Sequence, residues 1–296
     1  MNVATRQGQI FHQHSLAEHT TWRVGGLART VYKPSDVADL VGFLQAHDPQ
    51  EPLIWLGLGS NSLIKDQGVA GTVVITQGGL NELTRLDEVR VRVEAGVSCA
   101  KMARFCAKLG LTGGEFWAGI PGTMGGALRM NAGCFNGETW NHVESVETIN
   151  RFGIIRRRAA EEFTISYRSV RGLDKDEWFL SANCRMTPGD TDTSLGLIKQ
   201  LLQHRAQTQP TGEFNCGSVF RNPPNDYAAR LIESCGLKGL TLGGAQVSQK
   251  HANFIINHEG KACAQDIESL IQLVHDTVEA KTGISMTREV HIIGEL

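Results

Sequence analysis

The 296-residue sequence predicts an α+β fold in two parts, divided near residue 190. Three observations carry this. Strand-like runs such as VRVRVEAGV (89–97) alternate with amphipathic helical runs such as SCAKMARFCAKLG (98–110). The composition changes at TPGDTDTS (187–194), which reads as a linker. A chain of this length also corresponds to about two domains of ~100–200 residues each.

The elements follow in order. Pro34 and Ser35 precede DVADLVGFLQAH (36–47), whose apolar spacing predicts a helix with Ser35 as its N-cap. In PLIWLGLGSN (52–61) a strand from Leu53 to Leu56 runs into a glycine turn. GTVVIT (71–76) reads as a strand. In VRVRVEAGV, Val89, Val91 and Val93 alternate with Arg90, Arg92 and Glu94, which predicts one wet face. The helix over 98–110 stops at Gly110. Strands are expected around VESVETI (143–149), GIIRRRAA (153–160) and WFLSANCRM (178–186). Helices follow at TSLGLIKQLLQHRAQ (193–207) and DYAARLIESCG (226–236). DIESLIQLVHDTVEAKTG (266–283) places Ile267, Leu270, Ile271, Val274 and Val278 on one helical face, with Gly283 as stop. REVHIIG (288–294) closes the chain as a strand.

The totals exclude several classes. Hydrophobic residues make up 41%, charged residues 20%, and the net charge is −2. Nothing in this balance addresses nucleic acid or an anionic membrane. No run approaches the ~18 apolar residues of a membrane span. The start, MNVATRQGQIFHQHS, has no apolar signal region. A cytoplasmic protein without membrane insertion is expected. The seven cysteines are an odd number without a CxxC pair, so neither a disulfide framework nor a zinc site is indicated. Reduced thiols in a cytosol fit. No metal is expected; His12 and His14, two apart in a polar stretch, are the nearest approach to a ligand pair.

Glycine fills 7 of the 21 positions across 113–133. Each glycine costs backbone entropy, so something must approach this backbone closely. GLGSN (57–61), directly after a strand, is a second such stretch. Bare N–H groups in glycine turns form anion sites. The alternative is that both are simply turns. Neither is a Walker A loop, since no GK[ST] follows, and GLGSNS lacks the third glycine of a dinucleotide fingerprint. Two stretches, with Ser60, Asn61, Ser62 and Asn131 as extra polar groups, fit a long ligand gripped from two sides, such as a dinucleotide.

TTWRVGG (20–26), GLGSN (57–61) and GGEFWAGIPGTMGGALRMNAG (113–133) resemble the flavin-binding half of UDP-N-acetylenolpyruvoylglucosamine reductases. ISYR (165–168), GSVFRNPP (217–224), LKGLTLGGAQVSQKHANFIIN (237–257) and REVHIIGE (288–295) resemble the catalytic remainder in the same order. The resemblance spans nearly the whole chain. Only NPPNDYA separates GSVFR from the helix ARLIES, so the chain is similar to the shorter, second type of the family. The residues that close over UDP in the longer type therefore do not carry over.

The resemblance implies the FAD-binding fold of the vanillyl-alcohol-oxidase (PCMH) type, with a smaller C-terminal α+β substrate domain. It places the FAD-binding region, in two α/β lobes, at 1–190 and the substrate-binding domain at 191–285. A C-terminal strand at 286–296 carries Glu289. FAD would be bound non-covalently by Gly57, Gly59, Ser60, Asn61, Ser62, Gly119, Ile120, Pro121, Gly122, Gly125, Gly126, Asn131 and Gly133. NADPH would be the hydride donor. The substrate would be UDP-N-acetylglucosamine enolpyruvate, reduced to UDP-N-acetylmuramate in peptidoglycan precursor synthesis.

The implied reaction adds hydride to a vinyl carbon and leaves an enolate beside a carboxylate. It needs a cation, an acid and a polarising group. Arg168 matches the family's catalytic arginine, and a planar guanidinium grips a carboxylate by two bonds. A surface salt bridge is the alternative role. Ser218 matches the proton donor, against the alternative of a turn serine. Cys216 is a rival donor, which an extended chain would place on the same face as Ser218. Glu289 matches the catalytic glutamate, against the alternative of an edge-strand charge. Tyr167, Asn222, Gln246 and His251 are candidate substrate ligands. The run Arg156–Arg157–Arg158 is read as a solvated strand or loop rather than as a 2′-phosphate site. Two other readings stand beside this one. A different flavoenzyme of the same fold would need no NADPH, and a non-catalytic nucleotide-binding module would not need Arg168, Ser218 and Glu289.

Overall fold

The computed structural model describes residues 7–294; the ends of the region 1–190, of the strand 286–296 and of the motif 288–295 lie outside the described residues. Two compact units are formed, and they interleave along the chain. The first takes 7–12, 30–58 and 71–203; the second takes 13–29, 59–70 and 204–294. This corrects the expected division near 190. TPGDTDTS is no linker, because Thr187–Pro188 pairs antiparallel with Leu111–Thr112 and Asp190 Oδ1 accepts from the N–H and hydroxyl of Thr193 at 2.8 and 2.7 Å. The helix that follows carries Ile198 into the core of the first unit.

In the first unit, α1 (Val37–Ala46) begins at Asp36, not Ser35: the Asp36 carboxylate accepts from Asp39 N–H at 2.8 Å. Ser35 instead donates its backbone N–H to Asp39 at 2.9 Å. Leu53–Leu56 forms the expected strand and pairs in parallel with Val69–Ile75. These two join the strands Gln9–Ser15 and Leu27–Lys33, of which residues 9–12 and 30–33 belong to this unit, in a four-stranded sheet. A second, antiparallel sheet has five strands in the order Ile155–Ala159, Val143–Asn150, Glu177–Arg185, Arg90–Glu94 and Leu83–Arg85. Against it lie α2 (Cys99–Lys108), capped by Ser98 and ended by Gly110 at φ 69°, and α3 (Met124–Met130). Their apolar faces meet Val91, Val93, Ala182 and Cys184 in one core, which Ile198 of α4 (Thr191–Thr208) joins.

The expected wet face of Arg90–Glu94 is only half right. Glu94 is buried, accepting from the Glu82 N–H at 2.9 Å, with the Arg92 guanidinium 3.6 Å away. Burial raises the Glu94 carboxyl above its ordinary value. Arg92 bonds onward to Glu147 at 2.7 Å, so a neighbouring strand covers what the lone strand would expose.

The second unit is built on the small antiparallel sheet Phe214–Asn215, Ile255–Asn257, Ala245–Val247, Thr241–Leu242. Helices α5 (Ala228–Ser234) and α6 (Ala264–Thr282) pack on its core. All five apolar residues predicted for the inner face of α6 are buried, and Gly283 ends it at φ 72°. Trp22 of the TTWRVGG motif belongs here. It is fully buried and donates from Nε1 to Ile255 O at 2.7 Å, while Asn257 Nδ2 donates to Trp22 O at 2.9 Å. His291–Ile293 pairs in parallel with Ser62–Ile64.

Candidate active site

The chain's own packing accounts for most of the glycines. A Cβ at Gly133 would stand 2.3 Å from Gly137 O, and one at Gly125 2.8 Å from the Ala95 Cβ. One at Gly119 would meet the Phe135 ring at 2.6 Å, and one at Gly59, where φ is 66°, the His19 carbonyl at 2.0 Å. The N–H groups of Gly122 and Gly125 are spent on Ile120 O and Ala95 O, both at 2.9 Å. Those two are therefore not free to hold an anion, which corrects the expected phosphate cradle at 119–126. The N–H groups of 57–60 behave differently: they make no hydrogen bond to another described residue. Successive unpartnered backbone donors after a strand fit an anionic group such as a dinucleotide pyrophosphate.

Thr123, which the sequence reading missed, joins the two glycine stretches. It is the N-cap of α3, with Oγ1 accepting from Gly126 N–H at 3.5 Å, and that oxygen lies 2.3 Å from where a Gly57 Cβ would stand. A Thr directly before a helical run is the signal that could have found it. Ser60 and Ser62 are half-buried beside this turn. Asn61 faces the second unit's chain, donating from Nδ2 to Glu289 O at 3.1 Å and accepting the His291 N–H at 3.1 Å. Ile120 and Pro121 form the turn whose Ile120 carbonyl takes Gly122 N–H.

Arg168 and Tyr167 form the two-residue loop of the hairpin Thr164–Ser166/Ser169–Arg171. Arg168 sits at φ 53°, a conformation costly to a side-chain-bearing residue. Its guanidinium donates from Nη2 to Gly133 O at 2.6 Å and from Nη1 to Asn131 O at 3.4 Å. It also lies over the Tyr167 ring, 4.9 Å from the centroid, and Tyr167 is largely exposed. The supporting segment is a tight hairpin, Gly133–Cys134 against Gly137–Glu138, turned by Phe135 and Asn136 at φ 50° and 65°. Two positive φ values mark a type I′ turn.

Asn131 was expected to bind cofactor. Its side chain is instead used inside the first unit. It is fully buried and ends α3 at φ 46°, ψ 54°. Nδ2 donates to Glu138 at 3.0 Å and to Ser166 O at 3.3 Å, while Oδ1 accepts the Trp140 N–H at 3.1 Å.

In the second unit, Gly217 turns the chain at φ 74°. This overturns the expectation that Cys216 and Ser218 share a face. Cys216 points into the core, its thiol bonded to Thr21 Oγ1 at 3.2 Å and to Gly59 O at 3.4 Å. Burial pushes that thiol up to about 11. Ser218 stays half-buried, and its hydroxyl makes no hydrogen bond to the described residues. Glu289 lies just before its expected strand, which begins at His291. Its N–H donates to Val219 O at 2.8 Å, and Phe220 bridges Arg288, so the Ser218 and Glu289 segments run side by side.

Of the candidate ligands, Asn222 accepts Ala228 N–H at 3.1 Å and so caps the start of α5. Gln246 is half-buried in the strand Ala245–Val247. His251 Nδ1 accepts Asn253 N–H at 3.3 Å, and burial lowers its pKa. Arg156 is exposed on an edge strand and pairs with Asp174 at 2.9 Å, as the solvated-strand reading expects, whereas Arg158 is largely covered and pairs with the buried Glu177 at 2.9 Å. His14 approaches His19 rather than His12, Nε2 to Nε2 at 3.1 Å.

Comparison with known proteins fits this architecture. The family profile "FAD binding domain" matches residues 28–158, and "UDP-N-acetylenolpyruvoylglucosamine reductase, C-terminal domain" matches 209–293. A flavin-binding unit joined to this second domain defines an oxidoreductase of the flavoenzyme class. A UDP-N-acetylenolpyruvoylglucosamine reductase from Legionella pneumophila is 63% identical over 294 residues, 99% of this chain and 95% of the relative. One from Alkalilimnicola ehrlichii is 52% identical over 288 residues, covering 97% and 96%. The crystal structure of the reductase from Thermus caldophilus superposes with TM-score 0.81 at 28% identity, covering 97% of this chain and 99% of that one. The chain belongs to the UDP-N-acetylenolpyruvoylglucosamine reductase family. No helix among the described residues is long and apolar enough to cross a membrane.

Proposed function

We propose that this chain reduces the enolpyruvyl ether of UDP-N-acetylglucosamine to the lactyl ether, UDP-N-acetylmuramate, in cytoplasmic peptidoglycan precursor synthesis. NADPH is the reductant, and FAD is held non-covalently, its pyrophosphate on the N–H groups of 57–60 and the rest of the cofactor along 119–126. Support comes from the near full-length similarity to the family and from the presence of all three residues the reaction needs. The observation that carries it is Arg168, kept in a costly backbone conformation with its guanidinium seated on two carbonyls.

FAD, when bound, supplies the hydride that the vinyl carbon takes up. Arg168 grips the substrate carboxylate and stabilises the charge that enters it as the enolate forms. Ser218 holds the proton that the neighbouring carbon receives. A hydroxyl is a weak acid, but an enolate is a strong enough base once the two are in line. Cys216, buried with its thiol turned onto Thr21 Oγ1 and the Gly59 carbonyl, is a poor substitute. Glu289, on the segment beside Ser218, polarises the reacting enol through hydrogen bonds.

Anaerobic flavin absorbance tests the reading. NADPH should bleach the purified protein, and the enolpyruvyl sugar nucleotide should restore the colour. Ser218→Ala should still bleach at a normal rate but recolour ~10²–10⁴-fold more slowly. A wild-type protein that NADPH bleaches, but that only oxygen recolours, would instead be a different flavoenzyme.

A further inference from the structure

We infer that Asn131 is a positioning residue for Arg168. This rests on the reading above, in which Arg168 binds the substrate carboxylate. Asn131 reaches both parts of the chain that place the guanidinium. Its carbonyl accepts Arg168 Nη1 at 3.4 Å. Two residues on, the Gly133 carbonyl accepts Nη2 at 2.6 Å. Its side chain donates to Ser166 O at 3.3 Å, at the base of the loop that presents Arg168. The same nitrogen donates to Glu138 at 3.0 Å, on the strand paired with Gly133. One amide thus ties the arginine loop to the hairpin whose carbonyls seat the arginine.

The orientation of that amide follows from its partners. Trp140 N–H can only donate, so it faces Oδ1; the Ser166 carbonyl and the Glu138 carboxylate can only accept, so they face Nδ2. The amide is fully buried, and each bond is costly to lose. The left-handed backbone explains why asparagine stands here. It is among the few residues besides glycine that enter that region readily, and glycine would supply no amide. Aspartate would fit the space but could not donate to Ser166, and it would bring a second carboxylate against Glu138.

The test uses full-length holoenzyme. Asn131→Gly keeps the left-handed backbone and both seating carbonyls and removes only the amide. Bleaching by NADPH and flavin content should be unchanged, while recolouring by the enolpyruvyl sugar nucleotide should slow by on the order of 10–10²-fold, the cost of a misplaced group. In an Arg168→Ala background the same substitution should have no further effect, since Asn131 acts through Arg168. Glu138→Ala removes one partner of the same amide and should slow the same step more mildly; it carries the test where Asn131→Gly does not fold. Equal slowing of both half-reactions, no slowing, or a full additional effect on top of Arg168→Ala would overturn the inference. Should Arg168→Ala itself recolour normally, the assignment of Arg168 falls first, and the two failures are thereby distinguished.

Discussion

Asn253 clasps Phe220 at both backbone groups: Oδ1 accepts Phe220 N–H at 3.0 Å, and Nδ2 donates to Phe220 O at 2.8 Å. Its own carbonyl takes the Val219 N–H at 2.9 Å. The segment carrying Ser218 is therefore fixed on one side by Asn253 and on the other by Glu289, whose N–H bonds Val219 O. Both Asn253 and Phe220 are buried, so no water replaces a lost partner cheaply. Asn253→Ala should lower stability by on the order of 2–5 kcal/mol, because it leaves two buried backbone groups unpaired. Asn253→Asp should also destabilise, since it can accept from Phe220 N–H but cannot donate to Phe220 O. Urea denaturation of the two variants checks this; a loss below about 1 kcal/mol in both would show that the clasp is dispensable.

Gly57 and Thr123 make a second testable contact. A Cβ on Gly57 would lie 2.3 Å from Thr123 Oγ1, closer than atoms pack. Gly57→Ala should force the threonine to turn away from α3 and shift the loop 57–60. The expected outcome is protein with less bound flavin and a lost cap, worth about 1 kcal/mol. Thr123→Ala removes the colliding oxygen, so the double variant should retain more flavin than Gly57→Ala alone. Flavin absorbance per mole of folded protein measures it. Equal flavin in both would show that this contact does not shape the loop.

How much of this was legible in the sequence depends on the range of the forces involved. Helix α2, with Ser98 and Gly110 at its ends, and the buried face of α6 are local patterns, and both could be read directly. The burial of Glu94 could not, because the strand carrying Glu147 is what brings Arg92 over it. The interleaved units were equally hidden. Trp22 joins the second unit through Ile255, more than two hundred residues away, and no local composition marks that. The glycines were visible as unusual, but not which served the chain itself: Gly133 is required by Gly137, four residues on, through a hairpin whose turn residues, Phe135 and Asn136, are not both typical of it. Arg168, Ser218 and Glu289 were found only through the family resemblance.

A pH dependence follows from His251. Burial, the largest cause, and the nearby Lys238 charge lower its pKa in the folded protein. The unfolded chain therefore binds a proton first as pH falls below about 6.5. The unfolded state then holds more protons than the folded one, so stability declines with falling pH across the window below that value. His251→Gln removes the titration and should flatten this part of the profile. Melting temperatures of the two proteins between pH 7 and pH 5 check it. Parallel profiles would show that His251 does not contribute.

Gly217 carries the last prediction. The residue sits at φ 74°, and a Cβ built there meets no atom within 4 Å. Space is therefore not what selects glycine; backbone conformation is. A side-chain-bearing residue pays about 1–2 kcal/mol in this region, and asparagine pays least. The turn matters because it separates Cys216, sent into the core, from Ser218, left half-buried. If alanine relaxes the turn toward an extended conformation, Ser218 is re-aimed. Gly217→Ala should therefore lower stability by about 1–2 kcal/mol and slow recolouring of reduced flavin by the sugar nucleotide, with bleaching by NADPH unchanged. Gly217→Asn, which tolerates the positive φ, should recover most of both losses. Stopped-flow absorbance of each half-reaction, paired with thermal melts, separates the outcomes. Asparagine and alanine variants of equal rate and stability would show that the positive φ at Gly217 does not set where Ser218 points.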